Sequence, residues 1–429
     1  MQELTKFLSG VPLPDFVRVR QRFSREELSP EQIEEKLIRE FQALRPVSPG
    51  QRICITCGSR GIANMPLVTR LLVEQVRAAG AEPFLVTAMG SHGGASAEGQ
   101  LQMLRSLGIS EESMGCPILS SMETVKLTEI EGLPVYMDRF AEEADGIIVL
   151  NRVKMHTSFR GDYESGLLKM LSVGLGKQRG ADLVHAGGED DMARRIRLIG
   201  GAALHAAPVV LGVALLENAF EKTFALELLP PDQIEAQEPA LLKRAKERMA
   251  QIYFPDCDIL VVHSIGKNYS GAGADPNIVG RCANPKLKSG VRCKRMAFFD
   301  LSDESHGNAT GIGRADIVSR RLYEKMEFNE TYYNFITCNT PDTFKIPVVL
   351  DSDRTVLQGC IQTCVGIDRD RPRILMMDNS LETEYLLISE AMLPEAEKLE
   401  NVEIVSNAFP LVFDAEGTLL TPIKPVLAI

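Results

Sequence analysis

Residues 51–66 read QRICITCGSRGIANMP. Arg52–Cys57 is a short strand-like run, the Gly-Ser-Arg-Gly turn follows, and a helix begins beyond Pro66. Leu72 and Val76 contribute to that helix's buried face, and Gly80 and Ala81 end it just before the next apolar run. Strand, turn, helix, strand is the unit of an α/β fold, because a crossover helix lets two parallel strands lie side by side. The unit recurs along the chain. Strands are expected at Pro83–Ala88, Gly146–Leu150, Val209–Leu215, Asp258–His263, Arg295–Asp300, Ile346–Leu350, Arg373–Met377 and Val402–Ser406. Several are unbroken Val/Ile/Leu runs, as parallel strands covered on both faces should be.

Helices are expected between them. Ser29 suits an N-cap, with Pro30 at N1 and Gln32 at N3, and Ile33, Leu37, Phe41 and Leu44 form one apolar stripe. Asp191–His205 and Ala240–Ala250 also read as helices. Residues 220–255 are polar and Pro-punctuated, and a second strand series starts after them. The expectation is an α/β protein of two lobes, each with a largely parallel sheet flanked by helices. Residues 1–250 form the cofactor-binding lobe, with segment 405–429 packing back on it, and residues 251–404 form the lobe that closes the cleft. Cofactor and substrate belong in that cleft, at strand C-terminal ends.

The 429 residues carry 47 basic and 58 acidic side chains, a formal net charge of -11. A chain this acidic offers no broad basic face, so a general nucleic-acid binder is excluded. An anionic substrate needs a local cationic pocket, because the global field repels it. No run of about 18 apolar residues predicts a membrane span, and the N-terminus lacks a signal-peptide pattern. The nine cysteines are scattered, without paired zinc-site spacing, and read as reduced thiols of a cytoplasmic protein.

Three segments could carry chemistry. In CGSRGIANMP, a turn between strand and helix can offer backbone N–H groups to an anion, and Arg60 adds a permanent charge. The same residues also suit an ordinary tight turn with a solvated arginine. In AMGSHGGASAEGQ, His92 stands among Gly90, Gly93 and Gly94 at a strand's end, placed to meet a ligand or simply to face solvent. The segment 151–188 holds His156, Lys169, Lys177 and His185. Lys169 lies in SGLLKML, where desolvation would make its amine a nucleophile; a snorkelling lysine is the other reading. His205, in GAALHAAP, reads as a packing residue, and His306, in SDESHGNATGIGRAD, as one facing the cleft. HExxH is absent, and GIGRAD only partly matches a dinucleotide fingerprint.

In order and spacing these residues resemble the nickel-pincer lactate racemase family, across most of the chain and most specifically in its first half. The matching features are Arg60 in CGSRG, His92 in AMGSHGG, His156, the run Ser165-Gly166-Leu167-Leu168-Lys169, and His185 sixteen residues beyond Lys169. The resemblance implies a racemase or epimerase that inverts C2 of a 2-hydroxy acid by reversible hydride transfer. The cofactor implied is a nickel pyridinium-3,5-bisthiocarboxylic acid mononucleotide, attached through Lys169 and installed by cofactor-biosynthesis enzymes. His185 would ligate nickel, His92 and His156 would be the acid/base pair, and Ser59 and Arg60 would order the site. Between His156 and the lysine this chain has three residues more than the lactate enzymes, which leaves Lys177 as a rival tether. It also lacks their aromatic–glutamine–lysine cluster, and it has no tryptophan to wall off a methyl group. Lys267, Asn268, Asp275, Asn277, Arg281, His306 and Asn308 are substrate candidates instead, and they point to a polar acid such as an aldonate, for example gluconate. Lactate or malate is the alternative within this mechanism. A histidine-metal hydrolase or a non-catalytic small-molecule binding protein is the alternative outside it.

Overall fold

The computed structural model describes residues 2–59, 61–284, 286–338 and 340–425. They divide into two units, Ser24–Met249 and a second formed by Met1–Phe23 with Ala250–Ile429. In chain order the strands are β1 (Phe16–Gln21), β2 (Arg52–Cys57), β3 (Glu82–Thr87), β4 (Ile118–Leu119), β5 (Thr124–Ile130), β6 (Leu133–Asp138), β7 (Gly146–Arg152) and β8 (Val209–Glu217). They continue with β9 (Thr223–Leu229), β10 (Asp256–Ile265), β11 (Arg292–Leu301), β12 (Ile317–Ser319), β13 (Val348–Leu350), β14 (Ile374–Met377), β15 (Tyr385–Ser389) and β16 (Val402–Ile404).

The unit Ser24–Met249 is built on a sheet of order β4-β3-β2-β7-β8-β9, parallel except for β9. Its strands are buried on both faces. Ile147 and Val149 enter one core cluster, while Ile148 and Leu150 enter the other. The period-two alternation of a strand thus feeds two apolar layers, each covered by helices. The helix Pro30–Leu44 starts as expected: Ser29 Oγ accepts from Gln32 N–H at 3.3 Å, and the Gln32 side chain accepts from Ser29 N–H at 2.8 Å. Ile33, Leu37 and Phe41 are its buried stripe. The antiparallel hairpin β5–β6 turns at Glu131-Gly132, both at positive φ, the geometry of a two-residue hairpin loop.

The other unit holds a sheet of order β13-β12-β11-β10-β14-β15-β1-β16. The strands from β13 to β14 are parallel to one another, and β15, β1 and β16 add antiparallel pairings. Two expectations change here. The chain's first strand was assigned to the first lobe, yet β1 pairs with β15 on one side and β16 on the other. Segment 405–429 was expected against the first lobe. Its described part belongs to this unit: Phe409 bridges to Phe16, and the Ile423 carbonyl accepts from Arg18 Nε at 2.8 Å. In both cases backbone donors and acceptors at a sheet edge take the partner, and pairing across hundreds of residues leaves no local trace. No helix among the described residues is long and apolar enough to cross a membrane.

Candidate active site

From β2 the chain runs outward through β3 to β4, then returns to the other side of β2 with β7 and β8. The reversal makes a topological switch between β2 and β7. Open α/β sheets bind ligands beyond the strand C-termini at such a point. Ser59 follows β2, His92 follows β3 and His156 follows β7. The Ser59 hydroxyl meets His92 Nδ1 in a short hydrogen bond, which joins the first two loops. Both loops rest on the segment that carries Lys169. Gly90 N–H donates to the Gly174 carbonyl at 3.3 Å, and a Cβ on Gly58 would lie 3.3 Å from the Met170 methyl.

The His156 loop is closed by backbone bonds between Lys154 and Ser165, at 2.9 and 3.2 Å. Inside it, the fully buried Glu164 carboxylate accepts the N–H groups of His156 at 2.6 Å and Gly161 at 3.3 Å. Lys246, on the helix Pro231–Arg248, pairs with that carboxylate at 2.6 Å. Arg160 donates to the carbonyls of His156 and Phe159 at 2.6 and 2.8 Å. The His156 ring stacks on Phe159 at 4.2 Å, and its Nδ1 accepts the Ser158 N–H at 3.1 Å. A nitrogen that accepts carries no hydrogen, so the neutral ring holds its proton on Nε2. Burial pushes the His156 pKa well below the usual histidine range, and the electrostatic influence of Lys169, His185, Lys154 and Arg160 pushes it the same way.

Lys169 ends a single helical turn, Leu167–Lys169. A π-helical stretch, Met170–Gly174, continues it, and the helix Lys177–His185 follows. Such π segments recur at functional sites because they re-aim side chains without ending the helix. The turn is braced from two sides. Asn151 donates to the Gly166 carbonyl at 2.7 Å, and the buried Glu238 carboxylate accepts from Leu168 N–H at 3.0 Å. A Cβ on Gly166 would lie 2.1 Å from Glu238 Oε1, so only glycine lets the carboxylate approach. Burial raises the Glu238 pKa to about 7, against the opposing pull of the Leu168 and Leu167 N–H groups. The Lys169 ammonium lies 5.9 Å from the centre of the Phe159 ring. His185, the last residue of its helix, is an exposed side chain. Surrounding protein atoms that exclude water lower its pKa, and so does Lys169. His156 and Lys169 therefore both meet Phe159, and His185 is close enough to each to influence it electrostatically. Lys177, the rival for Lys169, is fully buried and engaged with Asp138 at 3.1 Å and with Thr87 Oγ1 at 3.0 Å.

Arg60 lies outside the described residues. In the turn before the helix Met65–Ala78 one backbone donor is already engaged. The Glu217 carboxylate accepts from Ala63 N–H at 2.5 Å and pairs with Arg152. In the other unit the substrate candidates separate into two groups. Lys267, Asn268, His306 and Asn308 follow the C-terminal ends of β10 and β11. Lys267 Nζ donates to Asn334 at 2.5 Å, and Ser302 donates to Asn268 at 2.6 Å. Arg281 instead donates to Asp316 and to the Arg314 carbonyl, near the strands' N-terminal ends, where it stitches loops together. Asp275 caps the short helix Pro276–Val279, and the buried Asn277 accepts from Ser289 at 3.2 Å. His205 is exposed, because its helix turns it away from the core. Among the described residues no three His, Cys, Asp or Glu side chains group so as to hold a metal ion by themselves.

Glu164, Glu238 and Lys246 escaped the sequence reading. Glu238 and Lys246 lie in the polar stretch taken for a domain break, and their spacing of eight puts them on one side of a helix. That shared face was the available signal.

No protein-family model and no curated protein sequence matches the chain. Among solved structures it is similar to the lactate racemase apoprotein from Thermoanaerobacterium thermosaccharolyticum, at 12% identity and a TM-score of 0.45, over 86% of this chain and 89% of that one. It is also matched to O-ureido-L-serine synthase, at 10% identity and a TM-score of 0.15, over 87% of this chain and 91% of that one. Neither superposes closely enough to assign an activity.

Proposed function

We propose that this protein is an isomerase, a racemase or epimerase that inverts C2 of a 2-hydroxy acid with a nickel-pincer nucleotide held at Lys169. The observation that carries this reading is that His156 and Lys169 meet at Phe159 with His185 electrostatically coupled to both, beside a π-helical turn and next to the loops of Ser59 and His92.

The residues fit such a group. Lys169 is the amine that would be acylated by a thiocarboxyl arm, and Lys154 and Arg160 supply positive charge for an anionic nucleotide. A lowered pKa keeps the His185 imidazole neutral near pH 7, the form that binds a metal. His185 would be the residue that holds the nickel, and the bound group would supply the metal's other donors. The chemistry the group supplies when bound is to accept hydride from C2 and return it.

The protein's task is then to move the hydroxyl proton. His92 would present Nε2 as a base in the tautomer whose Nδ1–H donates to Ser59. His156, with Nδ1 committed to the Ser158 N–H, presents Nε2–H and so stabilises the substrate oxygen as a donor. For the opposite hand of substrate its ring must leave Ser158 before it can serve as the base. A polar acid such as an aldonate is the favoured substrate, because no tryptophan exists to wall off a methyl group.

The test is intact-protein mass spectrometry after co-expression with the cofactor-building enzymes. Single epimers of gluconate, lactate and malate are then incubated in D₂O with the loaded protein. A nucleotide adduct is expected, lost in Lys169→Ala, with product inverted at C2 and no deuterium there. His92→Ala and His156→Ala should keep the adduct and lose at least 100-fold in turnover. Stoichiometric zinc without an adduct, or full deuteration at C2, would overturn the reading.

A further inference from the structure

His92 is exposed on a glycine-rich turn, so something must hold it. The turn is folded tightly onto the helix Ala97–Ser106. Gly93 has φ +67°, and a Cβ there would lie 2.7 Å from Gln100 N, while a Cβ on Gly99 would lie 2.0 Å from the Gly93 carbonyl. Beneath the turn, the side chain of Gln100 is fully buried. Its Nε2 donates to the carbonyls of Gly90 at 3.0 Å and His92 at 3.2 Å. Its Oε1 accepts from Lys177 Nζ at 3.3 Å. An amide can sit either way round, but an ammonium only donates. Lys177 therefore dictates that Oε1 faces inward and that both amide hydrogens face the turn. Asp138 and Thr87 hold Lys177 in its turn. Lys177 begins the helix that ends at His185.

We infer that Gln100 and Lys177 are positioning residues for His92. Lys177 fixes the Gln100 amide, and the amide clamps the backbone on either side of Ser91, so the imidazole is aimed before any ligand arrives. A buried ion pair of this kind is weak as a source of stability, since apolar residues of similar volume often do as well. Here the pair acts by orienting the turn. The role in catalysis rests on the isomerase reading, whereas the geometry of the turn does not.

The experiment is an NMR titration of histidine Cε1–H signals in the cofactor-free full chain, where only six histidines contribute. In Gln100→Met the His92 signal should shift or broaden and its titration midpoint should move, while the His205 and His306 signals stay in place. In cofactor-loaded protein the same variant should lose tenfold or more in kcat with KM changed less than threefold. If Gln100→Met does not fold, Gln100→Glu keeps the contact with Lys177 and removes the donors to the carbonyls, and it is read in the same way. An unchanged His92 signal in the folded variant overturns the proposal. A displaced His92 signal in a protein whose loaded wild type inverts no hydroxy acid supports the positioning role and defeats the isomerase reading instead.

Discussion

His156 shows how a single ring is tuned by its surroundings. Burial and the neighbouring cations Lys169, Lys154 and Arg160 all disfavour its protonation, so the folded pKa lies below that of the unfolded chain. As pH falls, the unfolded state takes up this proton first. The stability the neutral ring allows is therefore complete above about pH 6.5 and declines as pH falls toward the folded pKa. His156→Gln should remove that share. The difference in urea-unfolding free energy between pH 7.5 and pH 5.5 should shrink by about 1 kcal/mol relative to wild type. A difference equal to that of wild type would mean that the ring titrates normally. His92 and His156 could be singled out from their glycine-rich and polar surroundings in the sequence. The proton's place on Nε2 of His156 could not, because it depends on a backbone N–H two residues away and on how the loop folds.

At the scale of elements, the helix Pro231–Arg248 is the least expected contributor. Its Glu238 braces the turn that carries Lys169, and its Lys246 pairs with the carboxylate that holds the His156 loop. The Glu238 pKa is raised to about 7, above its unfolded value. Its contribution is thus fully present below about pH 4.5 and lost as pH rises through 7. Glu238→Gln keeps an acceptor and has no charge to bury, so it should be more stable than wild type at pH 8 by roughly 1 kcal/mol and close to it at pH 5. Glu238→Ala should cost about 2 kcal/mol at either pH, because two N–H groups lose their acceptor. Chemical denaturation at the two pH values checks both, and a Glu238→Ala as stable as wild type would deny the brace. The β2, β3 and β7 strands were legible because buried parallel strands are continuous apolar runs. The hairpin β5–β6 was missed, although Glu131-Gly132 between alternating runs was a readable turn.

At the scale of the whole molecule, the chain leaves one unit and returns to it. Residues 24–249 form a unit with both of its core clusters inside that range. This fragment should fold alone, with a cooperative melt and dispersed NMR signals. Residues 250–429 without 1–23 lack β1, which lies between β15 and β16. That fragment should be unfolded or aggregated, and fusing residues 1–23 to it should restore a cooperative transition. A stable 250–429 fragment would show that β1 is dispensable. The sequence by itself determined the α/β class, most strands of both sheets and the capped helix at Ser29. Those are local properties, set by period, turn chemistry and capping within a few residues. Only the tertiary structure decided that β1 joins the second sheet and that Lys177 is buried while Lys169 sits beside His156. It also decided that Arg281 is spent on Asp316 and that Glu238 reaches the Lys169 turn. Each of these depends on which distant group satisfies a buried donor or charge, and sequence spacing does not encode that choice.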